Sequence, residues 1–270
     1  MSLLNKLAIM RSLGMITRVL LASVMCICAF TVARAGDADA KRLLKAMSDY
    51  VASEKAISFN YDAALEVMTK EDQKLALLSS GSIVLNRPDK VRFTRSGGFA
   101  DIEGVFDGKT LTLFGKNANI YIQADAPGTF EELVDNLQEK FKRPLPAADL
   151  LLTNSYEELM SDVTDIMDLG SGVVGGVECD HLAIRKKEVD FQIWMAQGSK
   201  PYPCRFSIAS RAVAGGPQYS IQLRDWKTGG EVAKADFTFK NTSNASKVEI
   251  VEVREKFSDL PPNFKFGDGK

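Results

Sequence analysis

The residues that could do chemistry are few and scattered. His181 is the one histidine in 270 residues, and Asp180 beside it would point to the opposite face of a strand. A Ser-His-Asp triad needs a serine on a strained turn such as G-x-S-x-G, and the chain has none. Asp162, Asp165 and Asp168 recur every three residues, which suits a solvated helix face better than the clustered ligands of a metal site. Gly170–Gly176 is glycine-rich but lacks the lysine of a phosphate-binding loop. Asn241-Thr242-Ser243 and Asn244-Ala245-Ser246 match a glycan sequon, a weak signal in any chain. The inventory therefore points to no enzyme, no cofactor and no metal, and His181 reads as a partly buried strand histidine.

An apolar container needs none of these groups. Each buried methylene contributes about 0.8 kcal/mol, so a ~16-carbon acyl chain could gain on the order of 10 kcal/mol before ordering costs. A curved antiparallel sheet with an apolar inner face and a helical cover would exclude water. A few polar groups at its mouth would supply specificity.

The elements that would build such a container begin after a leader. Lys6, Arg11 and Arg18 precede an apolar run, Val19–Val32, and a small-x-small signal, Ala33-Arg34-Ala35. This predicts a secretory signal peptide cleaved after Ala35. The run of 14 residues is short of the ~20 a spanning helix needs. Cys26 and Cys28 follow Met25 and Ile27, not small residues, which argues against a lipid-modified N-terminus. Removing four basic and no acidic residues from a chain of net charge −1 leaves −5, so no nucleic-acid partner is expected. Gly36–Lys270 is then long enough for one β-domain with its own core, exported to the periplasm.

Asp37–Glu54 reads as a helix with Leu43, Leu44, Met47, Tyr50 and Val51 on one stripe. Ile57–Met68 alternates, with Ile57, Phe59, Tyr61, Ala63, Leu65 and Val67 on one face and polar residues on the other, the mark of a sheet with one buried side. Lys74–Ser80 and Ser82–Asn86 follow as two strands. Pro88 breaks pairing. Val91 and Phe93 alternate in the next strand, and Phe99–Phe106 and Thr110–Phe114 flank the hairpin dipeptide Asp107-Gly108. Ile120–Gln123 closes this meander.

A helical block comes next. Thr129–Phe141 carries Phe130, Leu133, Leu137 and Phe141; Arg143-Pro144-Leu145-Pro146 interrupts it; Ala147–Leu152 is a short helical piece. Tyr156–Leu169, with Leu159, Met160, Val163, Ile166 and Met167, reads as a third helix, and Gly170–Gly176 as a hinge. The block serves as a packed cap or as a movable cover. Strands are then expected at Val177–Arg185, Val189–Met195, Tyr202–Ser210, Tyr219–Trp226, Ala233–Lys240 and Ser246–Val253, before a tail containing Pro261-Pro262. The total is about ten strands joined as sequential hairpins. Cys179 and Cys204 are the two cysteines beyond the leader. An even pair in an oxidising compartment favours a disulfide. A simple meander would set the first and third of three strands roughly 9–10 Å apart, beyond the ~7 Å a disulfide spans, unless the middle strand is short or bulged.

Leu85-Asn86-Arg87-Pro88-Asp89-Lys90-Val91-Arg92-Phe93, followed by Phe106-Asp107-Gly108-Lys109-Thr110-Leu111, resembles the periplasmic outer-membrane lipoprotein carriers of the LolA type. Asp236-Phe237-Thr238-Phe239 resembles their terminal F-T-F strand. Val189-Asp190-Phe191-Gln192-Ile193-Trp194 and Leu223-Arg224-Asp225-Trp226 are similar to a family of predicted periplasmic proteins of unknown function grouped with that fold. The second likeness covers nearly the whole mature chain. The resemblance implies a mainly β fold: a half-open antiparallel barrel with an N-terminal helix and a helical lid inserted at about 129–169. In the carriers the arginine of the R-P motif holds the lid by hydrogen bonds and ligand entry displaces it; Arg87 stands in that place. The longer helical block and the cysteine pair depart from the carriers.

These readings converge on a periplasmic protein that binds a lipid or the acyl chains of a lipoprotein. Its wall would draw on Phe59, Leu65, Leu85, Phe93, Leu113 and Ile122, with Leu151, Met160 and Met167 from the lid. A slip of one residue in any strand would reverse its inward set. The competing reading is an envelope protein-interaction module whose sheet is filled by its own helices.

Overall fold

The computed structural model describes residues 32–98, 101–141 and 147–249. The n-region, the apolar run up to residue 31, the prolines at 144 and 146, and the tail from residue 250 lie outside the described residues. Helix α1 (Val32–Ser53) starts three residues before Ala35 and runs through it. Its Ala40, Leu44, Met47 and Val51 have no solvent exposure, and they follow the i, i+4, i+7, i+11 spacing of one helix face. Burying the three larger side chains contributes roughly 6 kcal/mol.

Strand β1 (Ala56–Met68) pairs with β2 (Lys74–Asn86) without a break, from Ala56 opposite Asn86 to Met68 opposite Lys74. The expected division of β2 at Gly81 is therefore wrong, and the structure shows why a glycine stands there. A Cβ on Gly81 would lie 2.0 Å from the Thr94 carbonyl oxygen and 2.6 Å from the Tyr61 ring. Tyr61 crosses the gap and donates its hydroxyl to that carbonyl at 2.9 Å. The glycine admits a side chain and does not end a strand.

The sheet continues through β3 (Lys90–Gly97), β4 (Asp101–Phe106), β5 (Thr110–Gly115) and β6 (Ile120–Asp125). Asp107 accepts the amides of Lys109 and Thr110 at the β4–β5 turn, where Gly108 has φ +90°. Helix α2 (Phe130–Phe141), a 3-10 turn (Ala148–Leu150) and α3 (Ser155–Met160) then cross the sheet. The remaining strands are β7 (Val163–Val174), β8 (Val177–Lys186), β9 (Val189–Ala196), β10 (Pro203–Ser210) and β11 (Gln218–Thr228). A short α4 (Gly230–Ala233) and β12 (Ser246–Lys247) complete the described chain.

Among the described residues twelve strands, against an expected ten or so, form one open sheet in the order β12-β6-β5-β4-β3-β2-β1-β11-β10-β9-β8-β7. The connections are not all sequential hairpins. β1 pairs with β11, joining two meanders into one curved surface, and β12 adds in parallel to β6.

Two further expectations fail. The third helix ends at Met160, and its expected second half is strand β7, with Ile166 opposite Ile184 and Met167 opposite Ala183. Asp162 has φ +56° and turns the chain out of the helix. The three-residue recurrence of Asp and of apolar residues imitates a helix, but Val163, Thr164 and Ile166 are β-branched and find partners along β8. The glycine hinge is the β7–β8 hairpin, with Gly175 and Gly176 at positive φ. The strand expected at Ala233–Lys240 is also absent. That segment instead crosses the outer face of the sheet. Arg92 donates to the carbonyls of Asp236 (2.9 Å) and Thr238 (2.8 Å) and pairs with Glu103. Phe239 lies 5.1 Å from Tyr121 and 5.9 Å from Phe114, ring centre to ring centre. Asn241 exchanges two hydrogen bonds with Ala245, so one of the sequon asparagines holds the turn of this segment.

Candidate functional site

The turn between β2 and β3 is where the helical block is fastened. Arg87 donates its backbone amide to the Lys55 carbonyl at 2.8 Å, and the Pro88 carbonyl accepts the amide of Phe130, the first residue of α2, at 2.8 Å. Thr129 and Glu132 close that helix start reciprocally: Thr129 Oγ1 accepts the Glu132 amide and Glu132 Oε2 accepts the Thr129 amide. This capping box satisfies two amides that the first turn would otherwise leave open.

The Arg87 guanidinium spans three elements. Nε donates to the Glu54 carbonyl at the end of α1 (3.2 Å), Nη1 to Glu131 Oε1 in the first turn of α2 (3.1 Å), and Nη2 to the Leu151 carbonyl after the 3-10 turn. Thr153 donates to the same Glu131 oxygen. The Arg87 side chain is 10% exposed and that of Glu131 28%. Burial draws the guanidinium below its ordinary pKa and Glu131 opposes the shift; an arginine stays charged under such a balance. The planar fork matches three acceptors in different directions, which a lysine could not do.

The lid covers the inner face. Phe59 and Leu85 of the expected wall are buried, Leu85 completely. Phe93 and Leu113 are half-buried and pack on the same core; Leu65 and Ile122 are also half-buried. Phe93 lies over Gly104, where a Cβ would stand 2.1 Å from the ring. On the lid side Leu151 has no exposure and Met160 packs partly buried against the core. Met167 does not belong to the lid: it is on β7 and 48% exposed. Sequence reasoning did not place in the wall the residues that fill most of the face: Leu44, Met47 and Val51 of α1, with Phe130, Leu133, Val134, Leu150 and Leu152. The signal for α1 was its apolar stripe; nothing in its pattern said which sheet face would receive it.

Among the described residues one surface hollow lies beside the lid and another beside α1. One, of about 350 Å³, is lined by Glu131, Asp135, Asp149 and Glu158 among others. The other, of about 310 Å³, lies between Tyr50 of α1 and the ends of β10 and β11. His181 is not near either. Its ring stacks on Trp194 at 4.1 Å on the outer face, with Nε2 3.0 Å from Gln192 Oε1.

Cys179 and Cys204 are free thiols, buried together with Ala196 in a small cluster separate from the main core, with Trp194 and Tyr202 packed against it. β9 ends at Ala196, opposite Cys179, and β10 bulges between Pro203 and Arg205. The middle strand is as long as its neighbour and reaches Cys179, so the irregularity that brings the two thiols into one cluster lies in β10, beside Cys204, and not in β9. Burial pushes the Cys204 thiol up, and its interaction with Cys179 pushes it further.

Among the described residues no helix is long and apolar enough to cross a membrane. No curated protein matches the chain. Among solved structures it is similar to LprF from Mycobacterium bovis, with 11% identity and a TM-score of 0.48 over 76% of this chain and 98% of that one. It is also similar to a LolA superfamily protein from Nitrosomonas europaea, at 11% identity and a TM-score of 0.33 over 74% and 99% of the two chains. MucB, solved in complex with MucA, gives 13% identity and a TM-score of 0.40 over 78% of this chain and 62% of that one. The profile of one family, described as predicted periplasmic protein (DUF2092), matches residues 40–251, from the first buried turn of α1 past β12, and the chain belongs to that family.

Proposed function

We propose that this protein is a non-catalytic periplasmic carrier that binds acyl chains of a lipid or lipoprotein between the sheet and its helical lid, and that the described state is the closed one. The observation that carries this reading is the Arg87 latch. A nearly buried guanidinium ties α2, the 3-10 turn and the end of α1 together through polar bonds. Such bonds exchange readily for water once the lid lifts, whereas an apolar seam would not. Lifting the lid would uncover Phe59, Leu85, Phe93 and Leu113 as one continuous wall. Export by a signal peptide cleaved after Ala35 places the chain in an oxidising compartment, where Cys179 and Cys204 join as a disulfide.

A second reading rests on a different observation. The inner face is filled by the protein's own side chains, with Leu44, Met47, Val51 and Leu151 fully buried. A face filled permanently would leave an envelope protein-interaction module. Native mass spectrometry of protein purified from periplasm without detergent separates the two. A stoichiometric adduct that extracts into solvent as lipid, and is lost in Leu113→Arg, supports the carrier. A clean apo mass, with no uptake of a fluorescent fatty acid by either the wild type or Arg87→Ala, overturns it in favour of the module.

A further inference from the structure

The hollow between α1 and the ends of β10 and β11 has no role in the latch. It holds about 310 Å³ and is lined by Tyr50, Lys200, Tyr202, Trp226, Lys227 and Thr228. Three of its features point the same way. Trp226 stacks between Phe59, at 5.4 Å and 11°, and Tyr202, at 5.3 Å and 9°. Phe59 is 2% exposed and belongs to the inner wall, so the ring stack runs from that wall out to the rim. The Trp226 indole N–H is buried and finds no acceptor among the described protein atoms. Tryptophan is a donor only, and a buried donor without an acceptor is destabilising. Lys200 and Lys227 flank the same space, and neither has an acidic partner among the described residues.

We infer that this hollow is a head-group subsite, which takes the carboxylate or phosphate of an amphiphile whose aliphatic chain runs inward along the Trp226–Phe59 stack. The inference rests on the carrier reading and deepens it. Two ammonium groups without counter-charges favour an anion at the rim. The Thr228 hydroxyl adds a neutral donor, and the stacked rings offer a flat apolar floor to the first methylenes. The charged end stays in water-accessible space and the chain enters the low-dielectric interior, so neither end is placed against its solvation preference.

Trp226 reports on its own site, because the only other tryptophan is Trp194. In full-length mature protein carrying Trp194→Phe, 9,10-dibromostearate should quench Trp226 emission saturably. Its methyl ester, of the same shape without the charge, should bind at least tenfold more weakly. Lys200→Gln with Lys227→Gln should weaken the acid by about tenfold and leave the ester unchanged. Inorganic phosphate alone at millimolar concentration should neither displace the acid nor alter emission. Equal binding of acid and ester, or no effect of the double lysine variant, overturns the subsite. Displacement of the acid by phosphate alone overturns the amphiphile in favour of a free-anion site. A co-purified lipid that leaves Trp226 unquenched by the brominated probe overturns the subsite but not the carrier; absence of both lipid and quenching overturns both.

Discussion

Arg87→Ala tests the latch directly. The substitution removes three hydrogen bonds from a charged donor that is 10% exposed. Breaking a buried charged contact costs about 3–5 kcal/mol, because the partners are left without compensation. Here Glu131 is 28% exposed and regains water, so the low end, about 3 kcal/mol, applies. The Glu54 and Leu151 carbonyls bear most of that loss. Every 1.4 kcal/mol is tenfold, so the open lid should be populated about 100-fold more than in the wild type. Hydrogen exchange reads this segment by segment. Amides of α2 and of residues 148–160 should exchange about two orders of magnitude faster, while those of β1, β8 and β9 keep their rates. Arg87→Lys should fall between, since it keeps a charge near Glu131 but cannot reach three acceptors. Lid amides that hold their wild-type rates, or a sheet that accelerates equally, would refute the idea of a lid that opens as a separate unit.

The cysteine pair should be oxidised in periplasmic protein, detected by intact mass before and after reduction; reduction should lower stability by about 3 kcal/mol in the chain-entropy model, and a fully reduced periplasmic form would contradict the inference. Gly81→Ala should cost at least about 2 kcal/mol in urea denaturation, because the new Cβ meets a backbone oxygen at 2.0 Å and overpacking of that kind cannot relax cheaply. Gly230→Ala, with open space around the same atom, is the control and should be neutral. The Asp236 carboxyl is held down to about 2 from 3.8 by the Lys240 side chain and then by the Thr238 amide. A depressed carboxyl contributes stability that is fully present above its unfolded value and lost as pH falls through the folded one. The packing of Phe239 on Tyr121 should therefore loosen between about pH 4 and pH 2, seen as a change in near-ultraviolet dichroism that Asp236→Asn abolishes.

How much of this was legible in the sequence depended on whether a residue's role is local. The face of β1 was readable because alternation from Ile57 to Val67 is a property of one strand. The α1 stripe and the hairpin at Asp107-Gly108 were readable for the same reason. Val163–Leu169 was misread because its helical spacing is as good as its β-branching, and only the ladder with β8 decides between them. Gly81 was read as a break because its reason, the Tyr61 ring, lies on another strand. Ala233–Lys240 reads as a strand and its Asp236–Phe239 resembles the carriers' terminal F-T-F strand, but the partners of this segment are the Arg92 guanidinium and two rings on β5 and β6. For the site, the position of Arg87 came from resemblance. Its partners Glu131 and Leu151 are 44 and 64 residues away, a separation no local pattern encodes.

The filled inner face and the carrier reading are compatible if cargo replaces part of the lid, and the energies say which part. Helix α2 buries Phe130, Leu133, Val134 and Leu137 against the core. At about 2–2.5 kcal/mol each they contribute roughly 8–10 kcal/mol. One ~16-carbon chain contributes on the order of 10 kcal/mol, so a single chain can take the place of α2 and little more. The 3-10 turn and α3 add Leu150, Leu151, Leu152 and Leu159, which one chain cannot also offset. A single fatty acid should therefore break the Arg87–Glu131 bond and leave the bond from Arg87 to the Leu151 carbonyl in place. A lipid with two or three chains could displace the whole block. Hydrogen exchange with palmitate bound should rise in α2 alone, and with a diacyl lipid bound it should rise in residues 148–160 as well. Cargo bound with α2 still protected would mean that the chains lie outside this face, and the replacement argument would fail at its first step.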